Sequence, residues 1–241
     1  MRLRCRFKLK ENYLPADYRR LFISFIKKSF SNYNEDLYNT WYSGSSIPKP
    51  FAFSVRLANP KFKDDMMFLG SNDVDFYFTT ENMEIGLQAY NAFLKQKGKD
   101  IHISSIDNSM MLTGVFLVKE KSIYSNKITI RFNSPLVVRD HNSNTEEDYY
   151  YSYGTEGFDE TLKRTLKEQI KFNVEITDSM LDEFTLTGIS PKKTVVKFYE
   201  QQIECSIGIY EMQGHPALLE YLYKNGMGSR RSSGFGVFEI I

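Results

Sequence analysis

An α+β fold made of two βαββαβ units in tandem, residues 1–125 and 126–241, with a glycine-rich loop near the C-terminus, is what the sequence predicts. Three observations carry the prediction. Strand-like stretches alternate apolar and polar residues, helix-like ones repeat apolar residues every three or four, and the two kinds follow one another in the same order in both halves. The 241 residues, 41% hydrophobic and 15% aromatic, suffice for two cores.

In the first half, Leu3, Cys5, Phe7 and Leu9 alternate with Arg2, Arg4, Arg6, Lys8 and Lys10, a half-buried strand with a cationic outer face. Such a face serves either as a charged edge that discourages aggregation or as a phosphate-facing strand. Tyr18, Leu21, Phe22, Phe25, Ile26 and Phe30 then keep helical rhythm behind Pro15, and a shorter helix covers 36–41. A turn-rich loop spans 42–50, and strands follow at 51–57, 66–69 and 74–79. A helix over 82–96 and strands over 99–104 and 111–119 complete the order βαββαβ, which is a ferredoxin-like unit.

The second half repeats this layout. Strands are expected at 127–132 and 134–142, a polar, tyrosine-rich loop or irregular hairpin at 143–157, and a helix at 158–172. Strands at 183–189, 194–199 and 203–212 lead to a helix at 215–225, a loop and a closing strand over 235–241. His215 precedes Pro216 at that helix start and reads as a capping or packing residue.

Composition excludes several classes. No apolar run approaches the ~20 residues of a membrane span, and the first residues lack an apolar signal-peptide core, so a cytoplasmic protein is expected. Cys5 and Cys205 are far apart and read as buried thiols. His102, His141 and His215 have no partners at ligand spacing, so neither a metal nor another cofactor is expected. The net charge of +1 conceals an asymmetry: 18 cationic against 13 anionic residues in 1–125, and 13 against 17 in 126–241. A nucleic acid would therefore be held by local basic patches.

The loop is the most informative stretch. Gly226, Gly228, Gly234 and Gly236 surround Arg230 and Arg231, so backbone N–H groups and guanidiniums are expected to face an anion. Its order, helix to loop to strand, is the reverse of a dinucleotide fingerprint, and it lacks the Gly-Lys-Ser/Thr of a Walker loop. The matching place in the first half, 96–103, has only Gly98 and no arginine.

Gly226-Met-Gly-Ser-Arg-Arg-Ser-Ser-Gly-Phe-Gly236 resembles the signature loop of the repeat-associated (RAMP) RNA-binding proteins of CRISPR systems, in particular the endoribonuclease that cuts precursor CRISPR RNA within its repeats. Lys49-Pro-Phe-Ala-Phe-Ser54 and Ser134-Pro-Leu-Val-Val-Arg-Asp-His-Asn142 carry the same resemblance. It implies tandem ferredoxin-like (RRM-like) domains and metal-free cleavage, in which the 2′-OH attacks the adjacent phosphate to leave a 2′,3′-cyclic phosphate and a 5′-OH. The partners it implies are CRISPR repeat RNA, other CRISPR effector subunits and a second copy of the chain, with no membrane.

Many members of that family place a histidine after the first helix, with a tyrosine and a lysine. Here no histidine lies between Pro15 and Leu57. The expected catalytic group is therefore Lys49 with Tyr38 or Tyr42, and His141 is the rival base. The expected RNA-binding residues are Gly226, Gly228, Ser229, Arg230, Arg231, Ser232, Ser233, Gly234, Phe235 and Gly236. Two alternatives stay open: a non-cleaving RNA-binding subunit of an effector complex, and a protein-interaction module on the same scaffold.

Overall fold

The first unit is built from β1 (Arg2–Leu9), β2 (Tyr13–Pro15), α1 (Tyr18–Tyr33), α2 (Glu35–Tyr42), β3 (Ala52–Leu57), β4 (Lys61–Lys63), β5 (Met66–Phe68), β6 (Asp73–Thr79), α3 (Met83–Leu94), β7 (Asp100–Ile103) and β8 (Asn108–Val118). Its antiparallel sheet has the order β3-β6-β1-β8-β7. The first four of these are the strands of a βαββαβ unit, and β7 is an added edge. The computed structural model describes residues 1–42, 48–142, 147–171, 173, 175–199 and 201–241. Residues 43–47 of the expected turn-rich loop, 143–146 of the polar insert and Phe172 at the expected helix end lie outside the described residues.

Alternation in β1 does what the sequence implies on its inner face. Leu3, Cys5, Phe7 and Leu9 are buried beneath Phe22, Phe25 and Phe30 of α1 and Phe93 of α3. Phe7 meets Phe25 edge-on at 5.0 Å, and Phe22 stacks on Phe76 at 5.4 Å. Each such pair adds about 0.5–1.5 kcal/mol beyond burial. The outer face is cationic, but β1 is not a charged edge, because it lies inside the sheet between β6 and β8. Arg6 and Lys8 pair with Asp75 and Asp73 of β6 at 3.5 and 3.7 Å. Arg2 is buried against the second unit, donating to the Tyr223 and Phe238 carbonyls at 2.9 and 3.3 Å and stacking on the Tyr223 ring. Strands β2, β5 and β4 form a separate small sheet, each too short to show a period.

The second unit comprises β9 (Lys127–Phe132), β10 (Val138–Asn142), β11 (Glu147–Tyr151), α4 (Phe158–Ile170), α5 (Asp178–Asp182), β12 (Thr185–Phe198), β13 (Gln201–Gln213), α6 (Pro216–Asn225), one 3-10 turn at Arg231–Ser233 and β14 (Phe238–Ile240). Its sheet order, β12-β13-β9-β14, reproduces the first unit's β3-β6-β1-β8, and β10 and β11 form a hairpin inserted before α4. Leu162 and Leu166 of α4 and Leu219 and Leu222 of α6 cover Ile130, Phe132, Tyr210 and Met212. The two strands expected at 183–189 and 194–199 are one strand. Ser190-Pro191 reads as a turn, but β12 is the sheet edge, where proline is tolerated, and a register shift between Gly188 and Ser190 absorbs the irregularity. No described helix is long and apolar enough to cross a membrane.

Candidate nucleic-acid interface

The glycine-rich loop is wedged between the two units. Gly226, Gly228, Gly234 and Gly236 all have positive φ. At Gly236 a Cβ would collide with the Met227 carbonyl oxygen, and at Gly234 it would stand 2.7 Å from the Phe53 ring. Close backbone approach is thus the reason for glycine at both positions. The N–H groups are mostly turned inward, which differs from the expectation that they face an anion. Met227 N donates to Gly236 O, Gly236 N to Pro135 O and Ser229 N to Val137 O, each at 2.8 Å. Gln169 of α4 clasps the loop start, donating to Gly226 O at 2.8 Å and accepting from Gly228 N at 3.3 Å. The 134–142 stretch and the loop, far apart in sequence, are therefore zipped together.

Ser229, Arg230, Ser232 and Ser233 remain half-buried at the loop tip, whereas Gly226, Gly228, Gly234, Phe235 and Gly236 are buried. A pocket of about 300 Å³ opens beside the tip, lined among others by Lys49, Arg139, Gln169, Ser229, Arg230 and Arg231. Two places singled out in the sequence, Lys49 and the loop, meet here. The two loop arginines differ. Arg231 is buried and donates to the Asn225 carbonyl at 2.8 Å, and burial lowers its pKa. Arg230 has φ 56° and ψ 27°, a left-handed conformation that costs a side-chain-bearing residue about 1–2 kcal/mol. Its guanidinium reaches Asp148 at 2.9 Å and the Tyr150 hydroxyl at 2.6 Å.

Tyr38 and Tyr42 stack at 5.5 Å at the end of α2. Lys49 Nζ lies 4.9 Å from the Tyr42 ring centre, and Lys27 Nζ, from α1, lies 5.1 Å from it. Tyr42 thus carries two ammonium groups. Its hydroxyl is buried without a partner among the described residues, and burial, followed by Tyr38 and Tyr199, raises its pKa. At neutral pH it holds its proton. Burial first, and then the Lys27 charge, lowers the Lys49 pKa, which brings its neutral form within reach of milder pH.

His141 does not line the Lys49 pocket. It sits opposite Asp148 on the hairpin, with Nδ1 2.8 Å from the carboxylate. Arg139, two residues earlier on the same strand, is the side chain that reaches the pocket. His215 Nδ1 accepts from Ala217 N at 3.3 Å and caps α6. Cys5 and Cys205 are buried free thiols, the second pushed up to about 12 by burial. Among the described residues no three His, Cys, Asp or Glu side chains cluster as metal ligands. A second cleft of about 800 Å³ lies between the units, with Arg56, Lys119 and Lys121 beside Phe62 and Tyr77.

Sequence reasoning missed Lys27, Arg139 and Asp148 as site residues. Lys27 belongs to the polar face of an amphipathic helix and carries no motif. Arg139 stood in a recognised stretch, next to the histidine that drew attention.

Fold and pocket together define a tandem ferredoxin-like protein with a cationic recess against its C-terminal glycine loop. The family model for CRISPR associated protein Cas6, C-terminal, matches residues 118–240, and the chain belongs to that family. Among solved structures, a Cas6-related gene product from Pyrococcus furiosus superposes with a TM-score of 0.85 at 19% identity, covering 100% of this chain and 98% of that one. A RAMP protein described as binding different RNA substrates gives 0.84 at 20% identity, covering 100% and 99%. A structure described as CRISPR associated protein Cas6 gives 0.78 at 15%, again covering 100% and 99%. At these identities the likeness establishes the fold. A search of curated protein sequences returns no significant match.

Proposed function

We propose that the chain is an endoribonuclease that cuts CRISPR repeat RNA once per repeat, by attack of the 2′-OH on the adjacent phosphate, leaving a 2′,3′-cyclic phosphate and a 5′-OH. The observation that carries the reading is the convergence of Lys49, Arg139, Arg230 and Arg231 on one pocket. In-line attack needs a base for the 2′-OH proton, an acid for the departing 5′-oxygen and positive charge for the phosphorane. Arg139 and Arg230 bind the phosphate oxygens, for which a guanidinium fork is suited. Lys49 stands on the Tyr42 ring, and its lowered pKa equips it for proton transfer, with Lys27 as the second cation of the pair. Tyr42 orients the lysines with Tyr38 stacked on it, and Ser229, Ser232 and Ser233 border the RNA backbone.

Residues 1–125 and 126–241 are read as the two domains. The cleft between them combines cations with aromatic rings, as a track for single-stranded RNA does. Support comes also from family membership and from the RNA-binding description of one fold relative. The protein acts in the cytoplasm, with CRISPR effector subunits or a second copy as further partners. One observation favours the non-cleaving alternative: among the described residues, no histidine lines the Lys49 pocket. A cleavage assay on repeat RNA with EDTA present decides between the two. Products ending in a cyclic phosphate and a 5′-OH support the nuclease, and intact RNA held tightly supports the binding subunit. Products formed only when metal is supplied would sink the 2′-OH mechanism.

A further inference from the structure

One carboxylate stands behind the pocket and collects its guanidiniums. Asp148, on β11, is 12% exposed at its side chain and does not itself line the pocket. Arg139 Nη1 donates to both of its oxygens at 3.1 Å, Arg230 Nη2 at 2.9 Å and the Tyr150 hydroxyl at 3.1 Å. His141 Nδ1 lies 2.8 Å from the same carboxylate. A carboxylate only accepts, so Nδ1 carries the proton and Nε2 is left for other partners. Tyr150 also receives Arg230 at 2.6 Å, which ties the loop arginine to the hairpin twice.

We propose that Asp148 is the positioning residue of the RNA pocket: without touching RNA, it locks Arg139 of the hairpin and Arg230 of the loop into the fork that receives one phosphate. The proposal rests on the RNA-binding reading above. Free arginine side chains lose rotamer freedom when they grip a ligand, and charge-assisted hydrogen bonds that fix them beforehand remove that loss. Arg230 in particular sits on a left-handed backbone, and its ties to Asp148 and Tyr150 hold the side chain in place.

The proposal has an unusual sign. Coulomb repulsion alone predicts that removing an acid beside a polyanion tightens binding. Positioning predicts the opposite. The test is fluorescence anisotropy with the repeat RNA of the chain's own array, carrying a 2′-deoxy substitution at the scissile nucleotide, across a salt series. Asp148→Asn is expected to weaken binding about tenfold, and Asp148→Glu, which keeps the charge and moves the carboxylate, about threefold. In an Arg139→Ala/Arg230→Ala background the Asn change is expected to do nothing or to tighten binding, because the groups it positions are gone.

Wild-type protein that does not bind the RNA overturns the functional reading itself. Wild type that binds, with Asp148→Asn equal or tighter, overturns only the positioning role. Should Asp148→Asn fail to fold, Asp148→Glu decides: weakened binding supports positioning, and unchanged binding overturns it. A purely structural role would lower affinity equally in the Arg139/Arg230 double-alanine background, which also overturns the proposal.

Discussion

Each unit follows its last α-helix with a glycine-containing connection, and the two could hardly be used more differently. After α3 comes Lys95-Gln-Lys-Gly-Lys99, three cations around one glycine. Gly98 has φ 76°, yet a Cβ there would meet nothing within 4 Å, and none of the three lysines forms an ion pair with a described residue. After α6 comes a segment whose glycines press against Ala52, Val137, Phe53 and Met227 and whose arginines are held by a carbonyl and a carboxylate. The number of cations is not what separates them. Close backbone packing fixes where the cations stand, and only the second connection has it.

The largest effect that sharpens this contrast is on stability. Gly236→Ala drives a Cβ into the Met227 carbonyl at positive φ, and a loss above about 3 kcal/mol is expected, since rigid backbone has to shift. Gly98→Ala carries only the left-handed penalty of about 1–2 kcal/mol. Thermal unfolding, at about 2–4 °C per kcal/mol for a chain of this size, separates the two. Equal losses would break the comparison.

Catalysis comes next. Lys49→Ala is expected to lower the single-turnover cleavage rate about 100-fold, within the range of lost acid–base catalysis, while RNA affinity changes only a few-fold. Lys99→Ala, in the first connection, is expected to leave the rate unchanged. A Lys49→Ala enzyme cleaving at the wild-type rate would remove Lys49 from the site. Wild-type cleavage is also expected to rise with pH and to level off before the pH at which an ordinary lysine deprotonates, because burial and Lys27 lower the Lys49 pKa. A rate that does not change with pH would deny Lys49 the base role.

Much of this difference could be read in the sequence, and the reason it could is local. Alternation in 2–10 and the apolar repeat from Tyr18 to Phe30 are signals carried within single elements, so both units were legible. Gly226–Gly236 also stood out, because four glycines in one stretch announce unusual backbone. What the stretch does with its N–H groups was not legible, since two of their acceptors, Pro135 and Val137, lie 101 and 92 residues before the donors Gly236 and Ser229. Asp148 was hidden for the same reason. It belongs to a polar insert that reads as loop, and its meaning comes from Arg139 across a hairpin and from Arg230, 82 residues later. Lys49 was found through a resemblance, whereas its partner Lys27 required the fold.

Binding gives a smaller effect. Arg230→Ala is expected to weaken RNA binding about tenfold and to flatten its salt dependence by about one unit of slope, as the loss of one phosphate contact does. Lys97→Ala is expected to do neither. Arg230→Gly should bind RNA as poorly as Arg230→Ala but unfold at a higher temperature, because glycine relaxes the left-handed backbone at that position. If the two variants unfold together, the strain at Arg230 has been overstated.

The smallest expected effect concerns acid. Burial works to raise the Asp148 carboxyl, but hydrogen bonds from His141, Arg139 and Tyr150 together with the Arg139 charge outweigh it and hold the group below its ordinary range. A carboxylate whose pKa is lower in the folded than in the unfolded chain adds stability that is fully present above the unfolded value of about 3.9. That stability is lost as pH falls through the folded value. In a His141→Gln background, which removes the imidazole facing the carboxylate, the difference in urea midpoint with and without the Asp148→Asn change should therefore be constant from pH 7 to pH 5 and shrink below about pH 4. Should the difference instead grow as the solution is acidified, Asp148 would not be bound as an anion by the two arginines. The second connection would then hold Arg231 through the Asn225 carbonyl but have lost its carboxylate tie to Arg230.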